Sequence, residues 1–303
     1  MIPYPGELAG LTAALAWTIA SFIWKRTEGH YEPLAMSFHK AWVAFVLMGT
    51  LLAFSQGQIF PWQATHKQMG LLALSGLIGL GVGDTFYFAC LLRVGPRRAL
   101  LMLLAAPVMS ALLGVIVLGE SMSPIRWAGM ALTLAGIGMV HAGQPQQEGE
   151  AQACPPGKAA SGILFGLLAC LGMAVSSLFT KEILNEGLHP FQAVQLRLVA
   201  VVLVLPVVGL ATGRLGRWVK PLGSRDILML TLFAGFLGTF VGITMMTISQ
   251  KLIPIGMANT LCSTSPLFAL PIAFFLRRSR IGKREVAGTV AAFAGVAMIF
   301  LFP

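Results

Sequence analysis

Long apolar runs recur along this whole chain, and they constrain its fold more than any other feature. Several extend over about 18 residues or more, enough for a helix to cross the ~30 Å hydrocarbon core of a membrane. Only 11% of the 303 residues are charged, against about 25% in soluble domains. Backbone groups inside lipid must bond to one another, and no run alternates as a barrel strand would. The sequence therefore predicts an all-α integral membrane protein.

Ten such runs can be marked, and a hydrophilic segment separates them into two groups of five. We expect each run to form one transmembrane helix. The predicted organisation is a first five-helix unit over 1–142, a polar linker over 143–158 and a second five-helix unit over 159–303. The predicted spans are 8–24, 34–54, 69–92, 97–118, 124–142, 159–180, 191–212, 226–250, 256–276 and 284–302.

The two halves are related in sequence. When residues 76–139 are paired with those 159 positions later, small residues and a proline coincide in order without a gap, as in Gly79/Gly238 and Pro107/Pro266. The stretch 10–25 pairs in the same way with 166–181. Ordered matches over so long a stretch indicate an internal repeat.

Basic residues fall on opposite sides in the two halves. Because five spans is an odd number, the second repeat must cross the membrane in the opposite sense, and the basic residues of matched loops should exchange sides. They do: one side carries 15 lysines and arginines and the other 4, with Lys40 and Arg197 left inside spans. The sequence thus predicts ten transmembrane helices in two inverted five-helix repeats. Since cytoplasmic loops are rich in Lys and Arg, both termini are expected to be non-cytoplasmic.

Several other classes of protein are disfavoured. The net charge of +10 lies mostly in short loops between apolar runs, which fits contact with lipid headgroups rather than nucleic acid. The first apolar run lacks the preceding basic region of a signal peptide. No GxxxxGK followed by Ser or Thr occurs, so ATP drive is not expected. The four cysteines have no metal-ligand spacing, and neither a metal nor another cofactor is expected.

The segment PVMSALLGVIVLGESMSPIRWAGMALTLAGIGMV, residues 107–140, carries a proline in span 4, then LGE, then a glycine-patterned span 5. Together with the two repeats, it resembles the EamA-type members of the drug/metabolite transporter superfamily, over essentially the whole chain. The second repeat departs from the pattern because it reads LRRSR at 276–280 where the first reads LGES at 118–121, so Glu120 has no twin. Members of the family are also usually drawn with cytoplasmic termini, opposite to the orientation that the charges predict.

The resemblance implies secondary active transport of a small organic metabolite, such as an amino-acid-like solute, by alternating access and in the direction of export. It implies a cavity lined by spans 1, 3, 4, 6, 8 and 9, in a cell (inner) membrane. The expected partners are the solute, membrane lipid and a coupling proton or cation, in a monomer or homodimer. The alternatives are a non-transporting receptor or scaffold, or an embedded enzyme. The enzyme is less favoured because Asp84 is the one deep carboxylate.

Asp84 and Lys40 lie at similar depths in spans 3 and 2, roughly 13 and 10 Å from the same membrane face at 1.5 Å per residue. Charges within spans are costly and usually face a partner or a cavity. Two interpretations stay open. One is a structural role for Asp84, either in an ion pair with Lys40 or in hydrogen bonds with hydroxyls such as that of Thr85. The other is a proton- or cation-coupled site in which protonation of Asp84 releases Lys40.

Arg197 occupies the position equivalent to Lys40, but the twin of Asp84 is Ile243, so Arg197 lacks the matching acid. Its guanidinium is suited to bind a substrate carboxylate or phosphate; the alternative is that it extends to the lipid headgroups. Glu120 is expected at the membrane interface in a structural role. His39 is expected to be a hydrogen-bonded histidine within a helix.

Span 9 is unusually polar, and its polar residues, Asn259 and Ser263 among them, cover several helix faces. Those that point inward either bond to neighbouring helices or contact a polar substrate. Pro107 and Pro266 lie mid-span at equivalent places and suit conformational hinges, although static kinks would give the same pattern. Trp17 and Tyr87 are candidates for aromatic cavity walls or for packing.

Overall fold

Most of the chain folds into helices. The computed structural model describes residues 4–27, 33–83, 86–87, 89–90, 93, 99, 102–143, 156–265, 267–268 and 282–301. No β-strand occurs within these ranges. Within the same described ranges, five helices are long and apolar enough to cross a membrane, and three shorter apolar helices accompany them. The prediction of a helical, membrane-embedded protein is thus confirmed, and the count of ten spans stays a prediction.

The helices follow the predicted spans closely. The first half forms α1 (Pro5–Lys25), α2 (Pro33–Gln56), α3 (His66–Gly76), α4 (Ala105–Leu118) and α5 (Pro124–Gly143). The second half forms α6 (Pro156–Asn185), α7 (Pro190–Ala211), α8 (Leu215–Val219), α9 (Arg225–Gly235), α10 (Gly242–Leu252), α11 (Ile255–Cys262) and α12 (Lys283–Leu301). A short 3-10 turn, Lys220–Gly223, joins α8 to the loop before α9.

The sequence repeat is reproduced in the backbone. Helices α3 and α9 begin and end at positions 159 residues apart, and each continues directly into a π-helical segment. The first π segment is Leu77–Gly83 and the second is Phe236–Val241, which begin 159 residues apart. Such widened turns are rare, and they are frequent at functional sites. Their recurrence at equivalent positions shows that the repeat extends to the local backbone structure.

Each π segment packs against the first helix of the other half. A Cβ atom on Gly79 would lie 2.5 Å from the hydroxyl of Ser176 on α6, and one on Gly238 would lie 2.9 Å from Ala20 on α1. Ser176 and Ala20 are themselves twins in the repeat. The indole Nε1 of Trp17 donates a hydrogen bond of 2.7 Å to the carbonyl oxygen of Gly238. Small residues therefore let the π segment of each half pack closely against the first helix of the other half.

Helices α5 and α12 approach each other along four glycines. A Cβ on Gly136 would lie 2.5 Å from the carbonyl oxygen of Gly288, and one on Gly129 would lie 2.9 Å from that of Gly295. Gly129 is the twin of Gly288, and Gly136 is the twin of Gly295. Gly136 therefore faces the twin of Gly129, and Gly129 faces the twin of Gly136. This pairing requires α5 and α12 to run antiparallel.

A histidine caps the start of α7. The ring Nδ1 of His189 accepts a hydrogen bond of 3.3 Å from the backbone N–H of Phe191, while Pro190, at the first helical position, has no N–H to satisfy. Burial, followed by the positive charge of Lys251, lowers the pKa of His189. Both causes favour the neutral imidazole, which is the form that can accept the capping bond.

We expect this cap to make stability depend on pH. Because the pKa of His189 is lower in the folded protein than its ordinary value of 6.5, stability is complete above about pH 6.5 and falls as the pH drops below it. Losing an N-cap acceptor typically costs about 1 kcal/mol. The melting temperature of His189→Asn, which keeps a capping acceptor, should therefore decrease less between pH 7.5 and 5.5 than that of the wild type. An identical decrease in both proteins would contradict the assignment, and His66→Asn serves as the control.

Candidate functional site: a polar cavity between the two halves

A cavity of about 540 Å³ lies between the two halves of the protein. Pockets for small organic ligands span roughly 300–1,000 Å³, so its size fits such a solute. Its walls come from helices of both halves, including α1, α4, α6 and the second π segment. The lining contains Lys40, Ser176, Ser177, Arg197, Asn259 and Ser263 as polar groups, and Trp17 and Trp24 as aromatic ones.

Most of the residues predicted from the sequence meet in this cavity. It is lined by Trp17, Lys40, Pro107, Arg197, Asn259 and Ser263. Tyr87 is partly buried and is not among the lining residues. Asp84 and Pro266 lie outside the described residues, so the proposed Lys40–Asp84 pair and the second hinge stay predictions.

Arg197 is buried within the bundle, with 5% of its surface exposed. Its Nη2 donates a hydrogen bond of 3.3 Å to the hydroxyl of Ser176. Its Nε and Nη1 have no hydrogen-bond partner within the described part of the chain. This burial does not fit the alternative that the side chain extends to the lipid headgroups, and it leaves donors of a buried cation unsatisfied beside the cavity.

Asn259 connects four helices. Its Nδ2 donates to the hydroxyl of Ser110 on α4 at 2.8 Å and to that of Ser177 on α6 at 3.0 Å. Its Oδ1 accepts a hydrogen bond of 3.0 Å from Nε2 of Gln250 on α10. The hydroxyl of Ser263 donates to the carbonyl oxygen of Asn259 itself. Asn259 therefore bonds neighbouring helices, as the first alternative for span 9 predicts, and it also lines the cavity, so contact with a substrate stays a prediction.

Glu120 and Lys181 form an ion pair next to this network. The two charged groups are 3.5 Å apart, and each side chain is 9% exposed. Lys181 Nζ also donates to the carbonyl oxygens of Gln250 and Ile253, at 2.6 and 3.0 Å. The Glu120 carboxylate accepts the backbone N–H of Ile255, at 3.0 Å, where the N-terminus of α11 favours negative charge. The carboxylate of Glu120 is thus almost buried and paired, which agrees with the predicted structural role; its position at the membrane interface stays a prediction.

The LGE motif explains how Glu120 reaches this position. Gly119 ends α4 in the left-handed conformation, with φ of 66°, which glycine adopts without steric cost. The chain therefore turns back sharply, and the backbone N–H of Glu120 bonds to the carbonyl oxygen of Gly114 at 3.1 Å. This turn directs the carboxylate towards α11 rather than into the surrounding solvent or lipid. The sequence had marked Glu120 as lacking a twin, but it carried no signal for its partner.

We call Glu120, Lys181, Gln250 and Asn259 the polar latch. The ends of α4, α6 and α10 and the start of α11 meet there, so by the order of the helices it lies towards the face of the two termini. Several cavity residues lie towards the opposite face, including Trp24 near the end of α1 and Lys40 near the start of α2. Because Asn259 also lines the cavity, the latch borders the cavity on the side of the termini.

A larger groove of about 880 Å³ lies between α2 and α9. Its walls are hydrocarbon and aromatic side chains such as Val46, Met229 and Phe233, which are all more than half exposed on the outside of the bundle. The described residues that line it include no charged or hydroxyl group to recognise a solute. Surfaces of this kind suit lipid tails, and the smaller polar cavity is the better candidate site.

Two related helical halves around a polar cavity are an arrangement typical of membrane transporters, which bind their solutes between repeats. The EamA-like transporter family matches residues 4–141 and 160–301, one match in each half. The chain belongs to that family, which confirms the resemblance carried by the repeats and the LGE segment.

Relatives agree with this assignment. Over 297 residues the chain is 24% identical to a protein named "uncharacterized transporter" from Archaeoglobus fulgidus, covering 98% of each. It is 29% identical over 148 residues to "uncharacterized transporter YwfM" of Bacillus subtilis (strain 168), which is 48% of this chain and about half, 49%, of that relative. One solved crystal structure superposes with a TM-score of 0.77 at 16% identity, covering 99% of this chain and 98% of the other. At that identity the likeness shows the fold alone.

Proposed function

We propose that this protein is a secondary active transporter that moves a small organic solute by alternating access. The cavity carries the proposal, because it lies between two equivalent halves and combines polar and aromatic walls at a volume that fits such a solute. The proposal includes ten spans as two inverted repeats, 1–142 and 159–303, joined by the linker 143–158. The antiparallel pairing of twin glycines between α5 and α12 supports the inversion.

The polar latch is the element that would have to open during transport. It ties α4, α6, α10 and α11 together at one end of the cavity. Its counterparts in the repeat are not polar in the same way: the twins of Gln250, Asn259 and Glu120 are Leu91, Leu100 and Ser279. In sequence, the polar closure is thus present at one end of the cavity and has no equivalent at the other. Such a difference suits a protein whose helices alternate between two packings. The latch would favour the state closed towards the termini.

The direction of transport follows from this asymmetry and from the loop charges. The face of the termini carries 4 basic residues, the buried Lys181 included, against 15 on the other face, so the latch would close the non-cytoplasmic end. A transporter that rests with its cavity towards the cytoplasm loads its solute there, which supports export. Asp84 is still the candidate for proton or cation coupling. A receptor or scaffold would have the same helices but would carry no solute.

Blocking the cavity tests the proposal. Ser21 lines the cavity on α1, whereas Leu15 on the same helix is 40% exposed and lies outside it. In proteoliposomes given a panel of labelled organic acids, amines and neutral solutes, with and without a pH gradient, the wild type should transport at least one. Ser21→Trp should weaken the apparent affinity about tenfold or more, since ~1.4 kcal/mol of steric cost suffices for that. Leu15→Trp should transport normally.

The same assay distinguishes the proposed function from its alternatives. If a folded, monodisperse preparation transports no solute under any gradient, the protein is a receptor or scaffold. If Ser21→Trp and Leu15→Trp transport equally well, the solute crosses by a route other than this cavity.

A further inference from the structure

We propose that Arg197 binds a carboxylate of the transported solute, so that the substrates are small molecules that carry one carboxylate and an apolar body. This inference rests on the proposed function and assigns it a chemical class of substrate. It comes from the unsatisfied donors of a buried guanidinium, from the composition of the surrounding walls and from the partners of the neighbouring charges.

The guanidinium of Arg197 lacks the bonds that a structural cation would make. Buried charges are normally paired and fully hydrogen-bonded, because an uncompensated charge away from water is costly. Arg197 is 5% exposed, yet it bonds only to the Ser176 hydroxyl, and its Nε and Nη1 are without a partner within the described ranges. An oxyanion entering the cavity would supply the missing acceptors.

Neighbouring charges are already engaged. The carboxylate of Glu120 is bonded to Lys181 and to the N-terminus of α11. Lys40 also lines the cavity, but it has interactions of its own. Among the described residues that line the cavity, Arg197 is therefore the cation whose buried donors are left unsatisfied. One guanidinium and nearby hydroxyls match the single charge and planar oxygens of a carboxylate, whereas a phosphate ester carries up to two negative charges.

The remaining walls describe the rest of the solute. Gly79 and Ser176 both line the cavity and are in close contact, because a Cβ on Gly79 would lie 2.5 Å from the Ser176 hydroxyl. The indole rings of Trp17 and Trp24 line the same cavity and offer flat apolar surface to an aliphatic or aromatic body. A carboxylate held at Arg197 would thus leave its apolar body among these rings.

Matched ligands test the inference. The purified full-length protein is titrated with 3-phenylpropionate, its amide, 3-phenylpropylamine and 2-phenylethyl phosphate, and with hexanoate, its amide, hexylamine and hexyl phosphate. We expect an acid to bind about tenfold to a hundredfold more tightly than its amide, which is the typical value of hydrogen bonds to a charged group. Calorimetry or the shift in melting temperature measures the affinities.

Variants separate binding from folding. Arg197→Gln should remove the preference for acid over amide while changing amide affinity less than about threefold, and Arg197→Lys should keep part of it. Arg126→Gln is the matched control, because Arg126 also has a buried Nε without a partner in the described structure but does not line the cavity. If Arg197→Gln does not fold, the wild-type comparison of acid with amide and the Arg197→Lys variant still decide.

The possible outcomes distinguish this inference from the proposed function. Equal affinity for acid and amide, preference for amine or phosphate ester, or no acid binding by folded protein at millimolar concentrations would overturn the carboxylate assignment. In each of these cases, transport of a neutral or cationic solute in proteoliposomes would still support the proposed transport function. Acid binding through Arg197 without transport of any solute would contradict the proposed function instead.

Discussion

Replacing Lys181 by methionine should destabilise the protein by about 3–5 kcal/mol, the cost found when one partner of a buried ion pair is removed. The change leaves the Glu120 carboxylate almost buried with its 3.5 Å counter-charge gone. It also removes the donor to the carbonyl oxygens of Gln250 and Ile253. Thermal unfolding in detergent, followed by tryptophan fluorescence and the monodisperse fraction, measures the loss.

Two controls show whether burial is the cause. Lys67 also contacts carboxylates, Glu182 and Glu186, but 57% of its side chain is exposed, so Lys67→Met should change stability little. The double variant Lys181→Met with Glu120→Gln should recover part of the loss, because no unpaired charge remains buried. Equal losses for Lys181→Met and Lys67→Met would contradict the latch as a buried pair. Faster solute transport by a folded latch variant would support its role as a closure.

Replacing Gly136 by alanine should give the second large loss, at the upper end of the ~1–3 kcal/mol that overpacking costs. The new Cβ would lie 2.5 Å from the carbonyl oxygen of Gly288, and 2.8 Å from the Cα of Ala292. Both are backbone atoms of α12, so no side-chain rotation relieves the clash and the helices must separate. The melting temperature should decrease accordingly.

Gly138, one half-turn further along α5, is the matched control. A Cβ there would meet the nearest atom, Cδ1 of Leu104, at an ordinary 3.6 Å. Gly138→Ala should therefore be neutral or slightly stabilising, since alanine is the better helix former by up to about 1 kcal/mol. Similar losses at both positions would show that α5 and α12 do not meet along these glycines.

Much of the fold was predictable because it depends on local order. The apolar runs predicted the helices, and the repeat predicted two related halves. The π segments after α3 and α9 recur 159 residues apart in agreement with the repeat, although π-helical turns were not themselves predicted. The polar and aromatic residues set in apolar runs, such as Arg197 and Trp17, were found in one cavity, since a group that is costly in lipid must turn inward. His39 bonds to the carbonyl oxygen of Trp218 at 2.9 Å, as expected for a hydrogen-bonded histidine.

The latch was not predictable, for a physical reason. Lys181 was counted as a loop residue because the apolar run stops at 180, but α6 continues to Asn185 and carries Lys181 inside. Glu120 looked interfacial because it follows span 4 directly, and the turn at Gly119 then brings its carboxylate to α11. Neither the extra turn of helix nor the direction of that turn can be obtained from hydropathy.

Hydropathy, loop charge and internal repetition are properties of the chain taken in order, and they suffice to predict a helical membrane protein built from two related halves. The depth of a polar residue in its span follows from the same order. Which residues meet depends instead on the rotation of each helix and on its neighbours, which packing between distant segments sets. Because of that packing, Arg197 lies on the cavity wall, and its Nε and Nη1 have no partner among the described residues. The same packing pairs Glu120 with Lys181, 61 positions away along the chain.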